Sequence, residues 1–495
     1  MSREVRKDNL KDNWMEENMK QDNAASMAGN EEKTAQQEML QTEKEEREQR
    51  EENRMGVEPI RGLLLKMSFP LMISMLVQSA YNIVDSIFVA HLNENALTAV
   101  SMCFPVQSLM MAFAIGTAVG MSALISRYLG ARKFEKANKV AQNGFFLAFV
   151  SYALFLIIGS ASRPFMAFQT DNEQIIEYGA TYLRIVCLLS IMVFLQLVVE
   201  RLMQSTGKTA FILLIQGSGA IINIILDPIL IFGLLGAPKL GVAGAAIATV
   251  FGQTFGAVLG LILNIKYNKE LTLNFRGFRP NLAIIKEIYH IGIPSIIMQS
   301  VGSVMVLFLN LILAAFSTTA VAAFGAYFKL QSFIFMPVFG LNNGVVPLIA
   351  YNYGAHKKDR LVEAGRISTK YAACIMVVGV ALFWTIPQVF LSFFGASEQM
   401  LEIGVPALRT IAIGFPIAGY AIMKGSMFQA LGKSIYSMNI SIVRQLVVLI
   451  PAAYLLSRLG NVNYVWWAFP IAEALGVILS ILYTKKIRRE MIDVL

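Results

Sequence analysis

The feature that most constrains this chain is a series of twelve apolar segments after residue 62, each about 20 residues long or more. A helix rises about 1.5 Å per residue, so each segment can cross a hydrocarbon layer about 30 Å thick. In that layer only helices and closed barrels satisfy their backbone hydrogen bonds. The sequence therefore predicts an all-α integral membrane protein with twelve transmembrane helices, approximately over 63–90, 96–126, 140–161, 178–200, 210–235, 242–265, 287–315, 320–351, 368–393, 403–431, 436–457 and 463–484.

The composition points to the same class of protein. Hydrophobic residues make up 56% of the chain and charged residues 15%, whereas about a quarter of the residues of soluble proteins are charged. The net charge of +9 does not indicate a nucleic-acid partner, because the basic residues lie in breaks between apolar segments and are not grouped with aromatic residues. We expect the lipid bilayer as the partner and no nucleic acid.

Lysine and arginine are unevenly distributed over the loops. The loops after segments 2, 6 and 8 are basic, and those after odd-numbered segments hold little more than Arg163, Lys239 and Arg458. Short cytoplasmic loops collect Lys and Arg. The sequence therefore predicts a multi-pass protein of the plasma membrane with both termini in the cytoplasm.

The first 60 residues differ from the rest of the chain. They hold 16 Asp and Glu against 10 Lys and Arg and have almost no apolar periodicity, so they cannot bury a core. We predict that residues 1–57 form a polar cytoplasmic extension that is disordered or a fraying charged helix, with a docking or regulatory arm as the alternative. The predicted domains that follow are an N-lobe over 58–270, an inter-lobe linker over 271–286, a C-lobe over 287–484 and a cytoplasmic tail over 485–495.

The second half of the chain repeats the first. An even number of spans per repeat gives both halves the same orientation, and a cleft forms between two bundles. The sequence predicts two pseudo-symmetric six-helix lobes, an architecture that suits alternating access, and a monomer, because each lobe can pack against the other. At an offset of 224 residues the matches include Pro70 with Pro294, Gly116 with Gly340, Gly120 with Gly344 and Gly130-Ala131 with Gly354-Ala355, and at 225 they include Glu173-Gln174 with Glu398-Gln399.

Three acidic residues lie well inside predicted spans: Asp85 in segment 1, Asp227 in segment 5 and Glu473 in segment 12. A carboxylate in hydrocarbon is costly and marks a functional site by default. Tyr81 and Asn82, four and three residues before Asp85, lie on its side of the helix. Asn223 lies one turn before Asp227. These residues are predicted to form a site that binds a proton or a cation.

The repeat places Leu309 opposite Asp85 and Ala452 opposite Asp227, so only the first half holds this acid pair. The alternative is a buried polar cluster that only fixes helix packing. Pro228, directly after Asp227, removes a backbone donor and is predicted to bend segment 5.

The role of Glu473 is left open by the sequence, as are those of Lys329, Lys424 and Arg444, which are basic residues of the second half. The bases either line a cavity or pair with Glu473. No phosphate-binding loop, nucleophile–base pair or metal-ligand spacing is found in the sequence. We therefore expect neither an enzyme nor a cofactor or bound metal, and the driving force comes from an ion gradient or a separate subunit.

Residues 60–485 resemble the multidrug and toxic compound extrusion (MATE) family of secondary transporters, part of a larger flippase-like superfamily. The resemblance depends on several motifs taken together. In segment 1 they are Tyr81-Asn82-Ile83-Val84-Asp85 and residues 88–92. After segment 2 they are Gly130-Ala131 and Ala137, with the repeat partner Gly354-Ala355. In segments 4, 5 and 6 they are Tyr182-Leu183-Arg184, the run from Asn223 to Pro228 and the run from Gly241 to Thr249.

The resemblance implies a V of two six-helix lobes that exports amphipathic, often cationic compounds in exchange for H⁺ or Na⁺. Protonation of Asp85, or ion binding there, would bend the first helix near Pro70. Asp227, Asn223, Tyr182 and Thr249 would complete the ion-coupling network, with Asp85, Asp227 and Asn223 as the ligands of any Na⁺. Gln78, Tyr81, Asn82, Gln299 and Asn310 would line the substrate cavity. Some branches have an acid in the seventh helix, whereas Gln299 and Asn310 are its main polar residues here.

Two other functions stay open at this point. A flippase for a lipid-linked precursor fits the same superfamily, although phosphate-bearing cargo calls for a ring of cavity bases. A membrane receptor that does not transport, or a membrane-embedded enzyme, is a more remote alternative.

Overall fold

The computed structural model describes residues 52–495, so most of the predicted N-terminal extension lies outside the described residues. Over 52–495 the chain forms twelve spans when each of two bent helix pairs is counted as one, which confirms the predicted all-α membrane fold. The spans are α1 Ile60–Ala90, α2 Glu94–Gly130, α3 Phe134–Ser160, α4 Glu173–Leu188 with Ile191–Ser205, α5 Ala210–Phe232, α6 Val242–Tyr267, α7 Leu282–Ala314, α8 Thr318–Gly354, α9 Lys358–Thr385, α10 Glu398–Ala412 with Phe415–Ala430, α11 Ser434–Ser457 and α12 Val462–Ile492.

Two spans are broken, which the apolar pattern did not predict. α4 bends by 46° after Leu188, and α10 bends by 49° after Ala412. Short helices over Ser162–Ala167 and Pro387–Ser392 precede the two broken spans. The breaks stand at equivalent places in the two halves, so they belong to the repeated unit.

Equivalent side chains begin equivalent helices. The Asn93 Oδ1 atom accepts from the backbone N–H of Ala96 (2.7 Å), and the Ser317 Oγ atom, 224 residues later, accepts from that of Ala320 (3.0 Å). Both are N-caps that satisfy a donor left free by the first turn of a helix. The predicted repeat is therefore also visible in local structure.

The lobes meet through glycines of α2 and α8. A β-carbon at Gly130 would lie 2.0 Å from the carbonyl oxygen of Tyr351, and one at Gly354 would lie 2.0 Å from that of Arg127. Gly116 in turn faces α7, and Gly340 faces the equivalent part of α1. Close approach of backbones at small residues is typical of helix packing in membranes. The repeated glycines are thus packing positions around a pseudo-two-fold axis.

This close packing is confined to one end of the lobe interface. The interface glycines of α2 and α8 lie in the C-terminal halves of those helices, and Gly292, which faces Gly116, lies in the N-terminal half of α7. In the N-terminal half of α8, nothing lies within 4 Å of a β-carbon at Gly325, and Phe328 and Phe333 are exposed. Among residues 52–495 the glycine contacts between the lobes are therefore concentrated at this end, which we call the closed end of the predicted cleft.

Three predicted boundaries differ from the structure. Residues 54–57, assigned to the disordered extension, form the helix Arg54–Val57, in which Met55 is buried. α7 begins at Leu282, inside the predicted linker, because the Asn281 side chain caps its first turn. α12 continues to Ile492, beyond the predicted start of the tail.

Candidate functional site

The two acids predicted from the first half lie together between α1 and α5. The carboxyl groups of Asp85 and Asp227 are close enough to share a hydrogen bond. Asp227 is fully buried, and the Oδ1 atom of each acid is buried without a hydrogen-bond partner within residues 52–495. An ionised carboxylate can only accept hydrogen bonds, so the two groups can share a hydrogen bond only when one of them holds a proton.

Asn223 connects the acid pair to α6. With its amide nitrogen donating to Asp227 Oδ2 (3.2 Å), its amide oxygen accepts from the backbone N–H of Thr249 (3.1 Å). The opposite orientation leaves only a 3.4 Å contact with the Thr249 hydroxyl, whereas the first orientation satisfies both ends of the amide. Asn223 therefore orients one acid from a fixed point on α6.

Two tyrosines border the acid pair. Tyr81 is within electrostatic range of both carboxyl groups, and Tyr182 is within range of Asp85. The Tyr182 hydroxyl accepts a hydrogen bond from Gln107 Nε2 (3.0 Å). Gln107 was not predicted as a site residue, although its recurrence as Gln331 in the second half could have drawn attention to it.

The other predicted site residues do not join this network. The side chains of Gln78, Asn82, Gln299 and Asn310 form no hydrogen bond with protein groups in the described part of the chain, and Asn82 and Gln299 are exposed. Their assignment to a substrate cavity stays a prediction. The two predicted bending points, Pro70 and Pro228, lie inside the continuous helices α1 and α5.

A half-buried ion pair lies in the C-lobe. Arg444 Nη1 donates to Glu473 Oε1 (2.6 Å), which settles one alternative left open by the sequence. Arg444 lies in a π-helical stretch of α11, Val443–Leu449, a type of distortion that is frequent at functional sites. Glu473 Oε2 and the hydroxyl of Tyr327 are buried without a partner among residues 52–495.

Lys329 and Lys424, whose roles the sequence also left open, have no acidic partner among residues 52–495. Lys329 Nζ lies 6.0 Å from the centre of the Phe394 ring, and Lys424 Nζ lies 5.2 Å from that of Tyr420. Both distances suit a cation over an aromatic face.

Two buried charged residues were missed in the sequence. Glu200 and Arg201 are 3% and 8% exposed, whereas the predicted fourth span ended at residue 200. That prediction was wrong because α4 breaks and then continues to Ser205. The apolar residues on both sides of the pair, 197–199 and 202–203, were the available signal.

Glu200 and Arg201 face opposite lobes. Glu200 accepts from Gln196 Nε2 (2.9 Å) and Gln216 Nε2 (2.8 Å), both in the N-lobe. Arg201 Nη1 donates to Gln204 Oε1 (2.6 Å) and, across the lobe interface, to Asn343 Oδ1 of α8 (3.2 Å). Arg201 is therefore a polar contact between the lobes at the closed end of the cleft.

We expect Arg201→Ala to lower the free energy of unfolding by about 3 kcal/mol, because it leaves the side-chain oxygens of Gln204 and Asn343 without their charged donor. Thermal melting in detergent measures the change. Arg184→Ala is the matched control, since Arg184 is an exposed arginine of the same broken span. Equal melting temperatures for the two variants would contradict this account of Arg201.

Comparison with known proteins places the chain in a family. The MatE family model matches residues 70–229 and 294–455, two ranges that begin at the repeat partners Pro70 and Pro294. Multidrug export protein MepA of Staphylococcus haemolyticus (strain JCSC1435) is 32% identical over 443 residues, 86% of this chain and 94% of the relative. The protein of the same name in Staphylococcus aureus (strain bovine RF122 / ET3-1) is 29% identical over 441 residues, 87% and 94% of the two chains.

Solved structures agree with the sequence comparison. An outward-facing multidrug resistance MATE family transporter of the MOP superfamily superposes with a TM-score of 0.83 at 25% identity, covering 88% of this chain and 98% of that one. A MOP superfamily transporter from Pyrococcus furiosus, for which a reverse polarity of the binding pocket suggests a different function, gives 0.82 at 26% identity with the same coverage. The chain therefore belongs to the MatE family, the multidrug and toxic compound extrusion family that its sequence resembles.

Proposed function

We propose that this protein is a secondary active efflux transporter that exports amphipathic, often cationic compounds in exchange for H⁺ or Na⁺. The names of its relatives, which are multidrug export proteins, support export of small molecules. The observation that carries the exchange mechanism is the contact between the carboxyl groups of Asp85 and Asp227.

The acid pair suits coupling because its charge depends on what it holds. With a proton or Na⁺ bound, the pair loses its attraction for a cationic compound. With the ion released, the pair is negatively charged and attracts such a compound, and Asn223 remains available to orient Asp227. One buried site can then alternate between ion and drug, as exchange requires.

The direction of transport follows from the positive-inside rule. We propose that the even-numbered loops and both termini are cytoplasmic, so the end where the lobes pack through Gly130 and Gly354 faces the cytoplasm. The structure then represents an outward-facing state, like the solved multidrug transporter it superposes on. Loading from the cytoplasm requires these interface contacts to separate.

We keep the flippase of a lipid-linked precursor as a second candidate. It would use basic residues of the cavity to hold phosphates. Of the three bases that could line the cavity, Lys329, Lys424 and Arg444, the last is already paired with Glu473, which weakens this candidate. We also propose that the protein acts as a monomer, because its two lobes bury their interface within one chain.

Reconstitution in liposomes tests the exchange. We expect efflux of a fluorescent cationic dye to be driven by either a pH gradient or a Na⁺ gradient imposed across the membrane, and the effective gradient identifies the coupling ion. Protein-free liposomes under the same gradient are the control. If folded protein moves no dye under either gradient, exchange is refuted and transfer of lipid-linked cargo becomes the next assay.

A further inference from the structure

Residues 53–58, which precede α1 and which we call the strap, contact both lobes. Their first contacts are with the N-lobe. Asn53 Nδ2 donates to the carbonyl oxygen of Thr206 (3.1 Å) at the end of α4 and to Glu270 Oε2 (2.5 Å) after α6. Arg54 donates to the carbonyl oxygen of Gly207. Two side chains of the strap are thus anchored on two N-lobe loops.

The rest of the strap is held by the C-lobe. Asn352 Nδ2 of α8 donates to the carbonyl oxygen of Met55 (3.0 Å). Arg360 Nη2 of α9 donates to the same carbonyl (3.0 Å) and to that of Glu58 (2.7 Å). Lys357 Nζ donates to the carbonyl oxygen of Gly56 (2.9 Å). All four of these bonds go to strap backbone, so they depend on its position.

The strap is also packed. Met55 is 0% exposed and Gly56 is buried, and a β-carbon at Gly207 would lie 3.3 Å from Met55 Cγ. The donors on the C-lobe side include Asn352, two residues before Gly354 at the closed end of the cleft. We propose that the strap is a conformational tie: it joins the end of α4 to the start of α9 and stabilises the state in which the lobes are closed at this end.

This inference rests on the proposed alternating access. When the lobes separate at this end, the end of α4 moves away from α9, and one set of strap contacts must break. The two sets act in series, since the tie from α4 to α9 runs through both. Cutting either set should therefore release α4 from α9, although the strap stays covalently joined to α1 through Pro59. Cutting the second set should then add little, which a double-mutant cycle can detect.

The experiment measures inter-lobe distance in the full-length protein. Spin labels are placed at the exposed positions Lys133→Cys, between α2 and α3, and Glu363→Cys, on α9. The exposed Cys374 is replaced by serine, while Cys103 and Cys187 are buried. Double electron–electron resonance then reports the fraction of molecules open at this end, in nanodiscs with and without a cationic drug, at high and low pH and with Na⁺.

Each variant removes one of the two sets of strap contacts, which we call the N-lobe arm and the C-lobe arm. Asn53→Ala with Arg54→Ala removes the N-lobe arm, and Lys357→Ala with Arg360→Ala removes both charged donors of the C-lobe arm. Since a hydrogen bond to a charged group stabilises by roughly 1.5–3 kcal/mol, each variant should raise the ratio of open to closed molecules about tenfold. The combined variant should match the stronger single one. Arg61→Ala and Arg366→Ala, which remove exposed arginines with no strap contact, should leave the ratio unchanged.

Each result has a distinct meaning. The tie is supported if each arm variant raises the ratio of open to closed molecules and the combined variant raises it no further than the stronger single one. Arm variants that behave like the two control variants overturn it, and so do additive effects, because they mean that the two arms act independently. If the wild-type distance is the same under every condition of drug, pH and Na⁺, alternating access is contradicted and so is the tie that rests on it. If the wild-type distance changes with these conditions, alternating access holds and the arm variants then test the tie alone.

Discussion

Asp85→Asn is expected to abolish ion-driven export while the protein still reaches the membrane. The substitution keeps the size of the side chain and its ability to meet Asp227, but an amide neither takes up a proton nor carries a negative charge. The pair then has one titratable member, and the exchange of ion for drug loses its basis. Dye efflux from liposomes under the effective gradient should fall to the level of protein-free vesicles.

The control for this variant is Asp171→Asn, which makes the same chemical change at an exposed position of the loop before α4. It should transport like the wild type. Melting temperature separates a coupling defect from misfolding, because Asp85→Asn removes one of two neighbouring acidic groups and should not lower stability. Near-normal export by Asp85→Asn would remove this residue from the coupling role and leave the acid pair as a packing cluster.

Gly354→Ala is expected to disrupt the closed end of the lobe interface. The added methyl would lie 2.0 Å from the carbonyl oxygen of Arg127, a backbone atom that cannot move aside without shifting α2. Overpacking of this kind costs about 1–3 kcal/mol or more. We expect a lower melting temperature and a shift toward molecules open at this end, measured by thermal melting and by the spin-label distances.

Gly325→Ala is the matched control, because it makes the same change in the same helix where nothing lies within 4 Å of the new atom. It should be neutral or slightly stabilising, since alanine favours helix more than glycine does. Adding Gly130→Ala to Gly354→Ala should cost little more than either alone, because both separate the same two helices. If Gly354→Ala behaves like Gly325→Ala, the helices do not depend on this glycine contact.

Much of the site was predictable because its residues stand out from an apolar background. Asp85 and Asp227 are acids in spans, and Asn223 lies one helical turn from Asp227, so local sequence identified all three. The contact with Thr249 followed only from the family resemblance. Gln107 was missed because a single glutamine in a long helix has no sequence pattern that links it to Tyr182.

The charged pair Glu200–Arg201 shows why burial is harder to predict than span number. A window of hydropathy ends at the first charged residues, so the fourth span was cut short at residue 200. In the structure each charge bonds one amide of α4 itself and one amide of another helix, Gln216 of α5 for Glu200 and Asn343 of the second lobe for Arg201. Partners so distant in the chain leave no local signal.

The sequence by itself determined the membrane class, the twelve spans, the two-lobe repeat and the acids of the first half. These properties depend on hydropathy, helical spacing and internal similarity, which are all written along the chain. Only the tertiary structure decided the breaks in α4 and α10, the Arg444–Glu473 pair and the packing of residues 53–58 against both lobes. The ion pair and the contacts of residues 53–58 depend on donors and acceptors supplied by separate helices, and such contacts exist only once those helices have packed.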